Sequence, residues 1–327
     1  MTQARAWVAA AAAAGMLCVA VGAAAQAPRR SVAGPIVAQS GQVIENVHVS
    51  TAQGPCIVVP EGVKRVVVRD SEIGPCGQPG DPLAIGIDIR PGASHVTIER
   101  NVLHDVASGV YAYGARHPIV VDRNRAYHIR GPFPRGQLVQ FNAVIGGEDA
   151  SRITCNVSDV LNQPVSNVED HVNLFNSWGL PGRPIVIAWN RVRGGHSPTG
   201  SGIMTGDGES GGHVHAHDNV VVNVGNTGMG IAGGSHIVFE RNRIFLDGHT
   251  SRSRIGLYAY NYISLACSDH RVANNRVWAI DVIGQSGAQN HAWIDDAGCR
   301  RVAQAGNRFG DRSLSAAMFD EVPSACR

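Results

Sequence analysis

The chain has 327 residues, 44% of them hydrophobic and only 6% aromatic, and its 28 basic against 26 acidic side chains leave a formal charge of +2. That near balance, with Lys64 the only lysine and no aromatics interleaved with a basic cluster, argues against a nucleic-acid partner. The length suits one sizeable core or an elongated stack of repeats.

At the N-terminus, Arg5 precedes an apolar run from Trp7 to Ala25, and Ala25 and Ala27 supply the small residues of a cleavage site. Residues 1–27 are therefore expected to be a secretory signal peptide. A membrane anchor is the rival reading, but the run is alanine-rich and no positive stop-transfer cluster adjoins it. The remaining 28–327 holds no second spanning run, so the mature protein is expected without a membrane span, secreted or periplasmic. Its six cysteines, Cys56, Cys76, Cys155, Cys267, Cys299 and Cys326, include no CxxC pair. In an oxidising compartment they point to disulfides rather than zinc or redox chemistry.

Internal repetition dominates the rest. SHVTIERNVLHDV, HPIVVDRNRAYHI, RPIVIAWNRVRGG, GHVHAHDNVVVNV and SHIVFERNRIFLD each read as a short alternating strand, an asparagine and a second short strand. The asparagines are Asn101, Asn124, Asn156, Asn190, Asn219, Asn242, Asn275 and Asn307, with Asn46 and Asp70 as earlier members. The third and fifth residues before each are usually apolar, as in Val96 and Ile98 or Ile237 and Phe239, so they point inward. No single repeat can bury its own apolar side, so a stack of coils is required. Two-residue hairpin turns at regular places, which an antiparallel sandwich would need, are missing.

These repeats resemble the right-handed parallel β-helix proteins of the pectate-lyase-like superfamily over nearly the whole mature chain. The resemblance implies an all-β single domain over 28–327, about ten coils, three sheets and an asparagine ladder at one turn. In that register Cys267 lies eight residues before Asn275 and Cys299 eight before Asn307. Equivalent positions in adjacent coils are within reach of a disulfide. A Cys267–Cys299 bridge is expected, and a Cys56–Cys76 bridge with it.

A further strand precedes each asparagine strand: GIDIR, GVYAY, LVQFN, HVNLF, GIMTG, GMGIA, GLYAY and HAWID. Second and fourth residues are mostly apolar and face in. Third and fifth face out, among them Tyr111, Tyr113, Gln140, Asn142, Asn173, Tyr258, Tyr260 and Trp293. Aromatic faces stack on sugar rings while their edges bond hydroxyls, so the strip suits an extended glycan. Loops preceding these strands carry Arg135, Arg252 and Arg254, whose guanidinium forks match carboxylates and point to an acidic polysaccharide.

The stretch VEDHVNLFNSWG concentrates the candidate chemistry. In uronate elimination an amide or protonated carboxyl neutralises the substrate carboxylate, a base takes the C5 proton, and an acid protonates the leaving oxygen. Asn173, Asn142 or Gln140 is the candidate neutraliser, His171 beside Asp170 the base, and Tyr258, Tyr260 or Tyr113 the acid. This leading scheme needs no cofactor. Calcium at Asp170, Asp207, Asp295 and Asp296 is the metal alternative. Hydrolysis needs two carboxyl groups, and the choices are Asp170 with Glu169, or Asp207 with Glu209 or a residue of the next coil. His213, His215 and His217 alternate on one strand face, but that strand belongs to the sheet after the groove. The expectation is a monomeric exported polysaccharide lyase or C5-epimerase; a glycoside hydrolase and a non-catalytic glycan-binding solenoid or adhesin are the alternatives.

Overall fold

The computed structural model describes residues 29–161, 166–248, 252–282, 284 and 288–327, and the expected leader lies outside them. Three sheets carry nearly all the secondary structure. One sheet stacks ten strands, from Ile36–Val37 and Ile57–Val59 through Ser108–Tyr113, Val139–Asn142, Asp170–Phe175, Ser201–Asp207 and Thr227–Ile231 to Ile255–Ala259 and Ala292–Ile294. We call it the groove sheet. Each of its strands is followed in the chain by one in the asparagine sheet, such as Ser94–Glu99, and then by one in the third sheet, such as Val102–Val106. Neighbouring strands in these stacks run parallel, except that Ala288–Gln289 pairs antiparallel with Arg276–Asp281 at the end of the third sheet. The chain therefore winds as a parallel β-helix, and every strand but the terminal ones is hydrogen-bonded on both sides.

Alternation within the strands builds the core as columns. Ile57, Ile87, Val110, Val139, Val172, Ile203, Met229 and Leu257 succeed one another in register, all fully buried. Burying each such side chain stabilises by about 1.5–3 kcal/mol, so coils hold together chiefly through their neighbours.

The turn from asparagine sheet to third sheet is tight. Arg100, Arg123, Cys155, Trp189, Asp218, Arg241 and Asn274 all take left-handed backbone there, with φ of 54° to 57°. That conformation costs about 1–2 kcal/mol for a non-glycine residue. The following asparagines offset it. Asn156 Oδ1 accepts from the Asn124 backbone N–H and Nδ2, both at 3.0 Å, and its own Nδ2 reaches Val121 O at 2.9 Å and Asn190 Oδ1 at 3.0 Å. The same bonds recur from Asn101 to Asn307.

Asn46 and Asp70 do not occupy this position. They are themselves the left-handed residues, with φ of 53° and 52°. Ser71 stands in the ladder instead, accepting from Val47 N at 3.3 Å and donating its N–H to Asn101 Oδ1 at 3.1 Å. The sequence register is off by one residue in the first coils.

Cysteines 267 and 299 form a disulfide, as do Cys56 and Cys76, and a third links Cys155 to Cys326. The last brings a C-terminal tail back across the third sheet. Leu314, Met318 and Phe319 pack there on Val220 and Val222. Among the described residues no helix is long and apolar enough to cross a membrane.

Candidate active site

The groove sheet presents one continuous outward column. Asp88, Tyr111, Gln140, Asn173, Met204, Gly230, Tyr258 and Trp293 follow each other in register. Beside it run Tyr113, Asn142, Phe175 and Asp207. Simple counting sets Asp207 opposite Asn176, but the register shifts between Asn173 and Phe175, and Asp207 pairs with Phe175. Gly206, at φ 63°, absorbs the extra residue. A bulge re-aims the side chain after it, and here it turns Asp207 into the groove.

Asp170 and Asp207 meet through one amide. Asn173 Nδ2 donates to Asp170 Oδ2 at 2.8 Å and to Asp207 Oδ2 at 2.9 Å. The two carboxyl oxygens therefore lie less than about 6 Å apart, near the spacing used in retaining glycoside cleavage. Ser201 Oγ donates to the other Asp170 oxygen at 2.5 Å. Burial pushes the Asp170 carboxyl up to about 8; the Ser201 bond opposes this, while the charges of Asp207 and Glu169 add to it. At neutral pH Asp170 thus holds a proton beside a charged partner. Glu169 is held by the next loop, accepting from Thr199 Oγ1 at 2.6 Å and from Ser197 Oγ.

A relay of donors ends on this pair. Arg135 lies 4.0 Å over the Tyr111 ring and donates to Gln140 Oε1 at 3.3 Å; Gln140 Nε2 donates to Asn173 Oδ1 at 3.4 Å. That last bond fixes which end of the Asn173 amide faces the carboxylates. Asn142 Nδ2 donates to the Tyr111 hydroxyl at 3.3 Å. Together with Phe133, Phe175 and the carboxylates, these residues line a cavity of about 490 Å³.

His171 is not part of it. Fully buried, it places Nδ1 2.8 Å from Ser158 Oγ and Nε2 3.0 Å from Gly194 O. Burial drives its pKa down to about 4. The expected base is thus a neutral interior side chain with both nitrogens engaged. Its column explains the orientation: a Cβ on Gly202, Gly228 or Gly256 would strike Val221, Ile244 or Val277 of the third sheet, so the column faces the core. His291, in the same column, accepts from Ala279 N at 3.0 Å.

Farther along the groove Tyr260 stacks on Trp293 at 4.5 Å, with Tyr262 edge-on to Tyr260 at 4.8 Å. With Arg254, Asn226 and Asn290 they line a second cavity of about 340 Å³. Tyr258, 4% exposed, leans over Gly230 and donates to Met204 Sδ at 3.1 Å. Burial raises its pKa well above the usual phenol, with the charges of Tyr262, Asp170 and Asp207 contributing. It is a covered neutral phenol in the lining of the second cavity. Tyr113 is exposed beside Tyr111, at 6.5 Å between ring centres. Arg252 is exposed and lines neither cavity. Sequence reasoning missed Ser201, although its register opposite Asp170 was a usable signal, and Tyr262, which lies beyond the strand.

Three of the four expected calcium ligands, Asp170, Asp207 and Asp295, are engaged by N–H donors rather than set around a cation. An Asn173 N–H, not an oxygen, stands between Asp170 and Asp207. Asp295 is spent on its own turn, accepting from Ala297 N at 3.2 Å and Gly298 N at 3.1 Å. Of the alternating histidines, His213 stacks on His236 at 4.8 Å and His217 pairs with Asp218 at 2.8 Å, on the asparagine sheet.

No family model and no curated protein matches the sequence. Among solved structures, the chain resembles an alginate lyase from Paenibacillus sp. str. FPU-7, at 10% identity and a TM-score of 0.50, covering 85% of this chain and 99% of that one. The periplasmic alginate epimerase AlgG, solved as a double mutant, matches with 14% identity and a TM-score of 0.49 over 84% of this chain and 70% of its own. The A-module of an Azotobacter vinelandii mannuronan C-5 epimerase gives 12% identity and 0.41, over 85% and 83%. At such identities the likeness concerns the fold: a right-handed parallel β-helix.

Proposed function

We propose that the chain is an exported carbohydrate-active enzyme that cleaves an extended glycan laid along the groove sheet, with Asp170 as general acid and Asp207 as nucleophile. The observation that carries this reading is the bridge through Asn173, which holds a proton-bearing carboxyl beside a charged one. A carboxyl that keeps its proton beside a second carboxyl group is suited to donate it. Asp170 would protonate the leaving glycosidic oxygen as Asp207 attacks the anomeric carbon; water, giving its proton to the Asp170 carboxylate, would then displace the sugar from Asp207, completing hydrolysis with retention. The aromatic cluster around Tyr260 and Trp293 supports sugar stacking farther along the groove. Three disulfides fit an oxidising compartment.

Elimination or epimerisation on a uronate chain is the second reading, favoured by Arg135, Gln140 and protonated Asp170 in the lining of the same cavity. There Asp170 would hydrogen-bond the uronate carboxylate and Asp207 would take the C5 proton, the role first expected of His171. The test is a panel of acidic and neutral polysaccharides, scored for new reducing ends and for the ultraviolet absorbance of an unsaturated uronate. Reducing ends without that absorbance support hydrolysis; the absorbance supports elimination. Asp170→Asn and Asp207→Asn should each lower turnover by about 10²- to 10⁴-fold. Full activity in Asp170→Asn would sink both readings, inversion at C5 seen by proton NMR without cleavage would mean epimerisation, and binding with neither cleavage nor inversion would leave a glycan-binding solenoid.

A further inference from the structure

On the third sheet, away from the groove, three consecutive coils bring His48, Glu72 and His104 together from strands Val47–Thr51, Glu72–Cys76 and Val102–Val106. Their ligand atoms all lie within 4.8 Å of one another. His104 is the best defined. Tyr127 stacks on it at 5.0 Å with the planes 2° apart, and Gly74 admits it, since a Cβ there would lie 1.8 Å from His104 O. Its Nδ1 is 2.9 Å from Asp105 Oδ2, and its Nε2 is 3.1 Å from Glu72 Oε1.

A neutral imidazole has one N–H to give. If Asp105 takes it, a lone pair on Nε2 faces a carboxylate oxygen, and that contact requires a cation between them: a second proton or a metal ion. A carboxylate fixing the outer nitrogen of a histidine is the usual support for a metal-bound imidazole. Asp105 is itself 3.2 Å from His128 Nδ1. Arg29 pairs with Glu72 Oε2 at 3.2 Å, which leaves Oε1 directed at the histidines. His48 Nε2 stands 3.9 Å from that same Oε1 and 2.9 Å from Gly74 O.

We propose that His48, Glu72 and His104 form a site for a divalent transition metal of the zinc type, clamping three coils near the N-terminal end of the helix. Nitrogen and carboxylate ligands at about 2.0–2.2 Å from tetrahedral zinc stand about 3.3–3.6 Å apart, so Glu72 and His104, now 3.1 Å apart, need to separate only slightly to admit one. His48 joins by a side-chain rotation that gives up its bond to Gly74. Solvent fills the fourth position.

The test uses the chelator-treated full chain, titrated with Zn²⁺ in a calorimeter and with Co²⁺ in the visible. One Zn²⁺ per chain at micromolar affinity or tighter, four-coordinate Co²⁺ bands and a higher melting temperature with zinc are expected. Affinity should fall as pH is lowered, because protons compete with the metal for the imidazole nitrogens. Asp105→Asn should weaken binding about ten- to a hundredfold, and His104→Ala should abolish it. His48→Gln, at a partly exposed position, covers the case in which His104→Ala fails to fold. Absence of stoichiometric binding below millimolar zinc would mean that the pair is simply an imidazolium, and binding unchanged in His48→Gln would move the metal elsewhere; either overturns the proposal.

Discussion

Asp170 and His171 are adjacent and buried, yet burial acts on them in opposite directions. Desolvation disfavours the charged form of each, so the carboxyl keeps its proton up to about pH 8 and the imidazole gives its own up down to about pH 4. Only Asp170 has a charged carboxylate across a shared amide, so only Asp170 has a partner for proton transfer. Its acid role requires the protonated state, so activity should fall as pH rises through about 8. Glu169 helps hold that proton through its charge. Removing the charge in Glu169→Gln lowers the Asp170 pKa, so the alkaline limb of kcat/KM should move to lower pH with turnover on the plateau retained. A pH–rate profile measures this, and a limb that stayed put or moved up would remove Asp170 from the acid role.

Strand by strand, the register was legible wherever an asparagine marked the turn, because left-handed backbone before each one needs the same amide bonds every time. It slipped in the first coils, where Ser71 replaces the asparagine and nothing in the residue type reveals the substitution. Most of the groove column, from Tyr111 and Gln140 to Asn173 and Trp293, followed from simple alternation. His171 did not, because a histidine at a strand start counts as polar although its glycine-rich column faces the core. Asp207 was reached only through the bulge, a one-residue insertion that alternation cannot foresee. Gly230 shows a different limit. It stands in the outward column, where any side chain looks tolerable, but a Cβ there would lie 2.6 Å from Tyr258 Cζ. Gly230→Ala should push Tyr258 off Met204, lowering stability by about 1–3 kcal/mol, as overpacking does. A urea-denaturation midpoint equal to the parent's would show instead that Tyr258 swings away freely.

At the scale of the whole molecule, a solenoid couples each coil mainly to its neighbours, and its stability is close to a sum of local terms. Two of the three disulfides respect that logic, joining residues 20 and 32 apart in sequence. Cys155–Cys326 does not, since it closes 171 residues and pins the tail across several coils of the third sheet. The tail is tied along its course: Arg191 Nη1 donates to Phe319 O at 2.7 Å, Arg193 lies 4.1 Å over the Phe319 ring, and Arg243 pairs with Glu321 at 2.6 Å. Chain-entropy reasoning gives such a long loop about 5 kcal/mol at most, an upper figure because denatured chains keep structure. Cys326→Ser should therefore cost about 2–5 kcal/mol in denaturant unfolding. The loss should also be uneven. Amide exchange should speed up in the tail and in the strands around Val157 and Val220 that it covers, while the distant coils between Ile36 and Ile89, held by their own disulfide, keep their protection. Uniform loss of protection from end to end would mean that the tail sets the cooperativity of the whole stack, and that the coils are less independent than their nearest-neighbour packing implies.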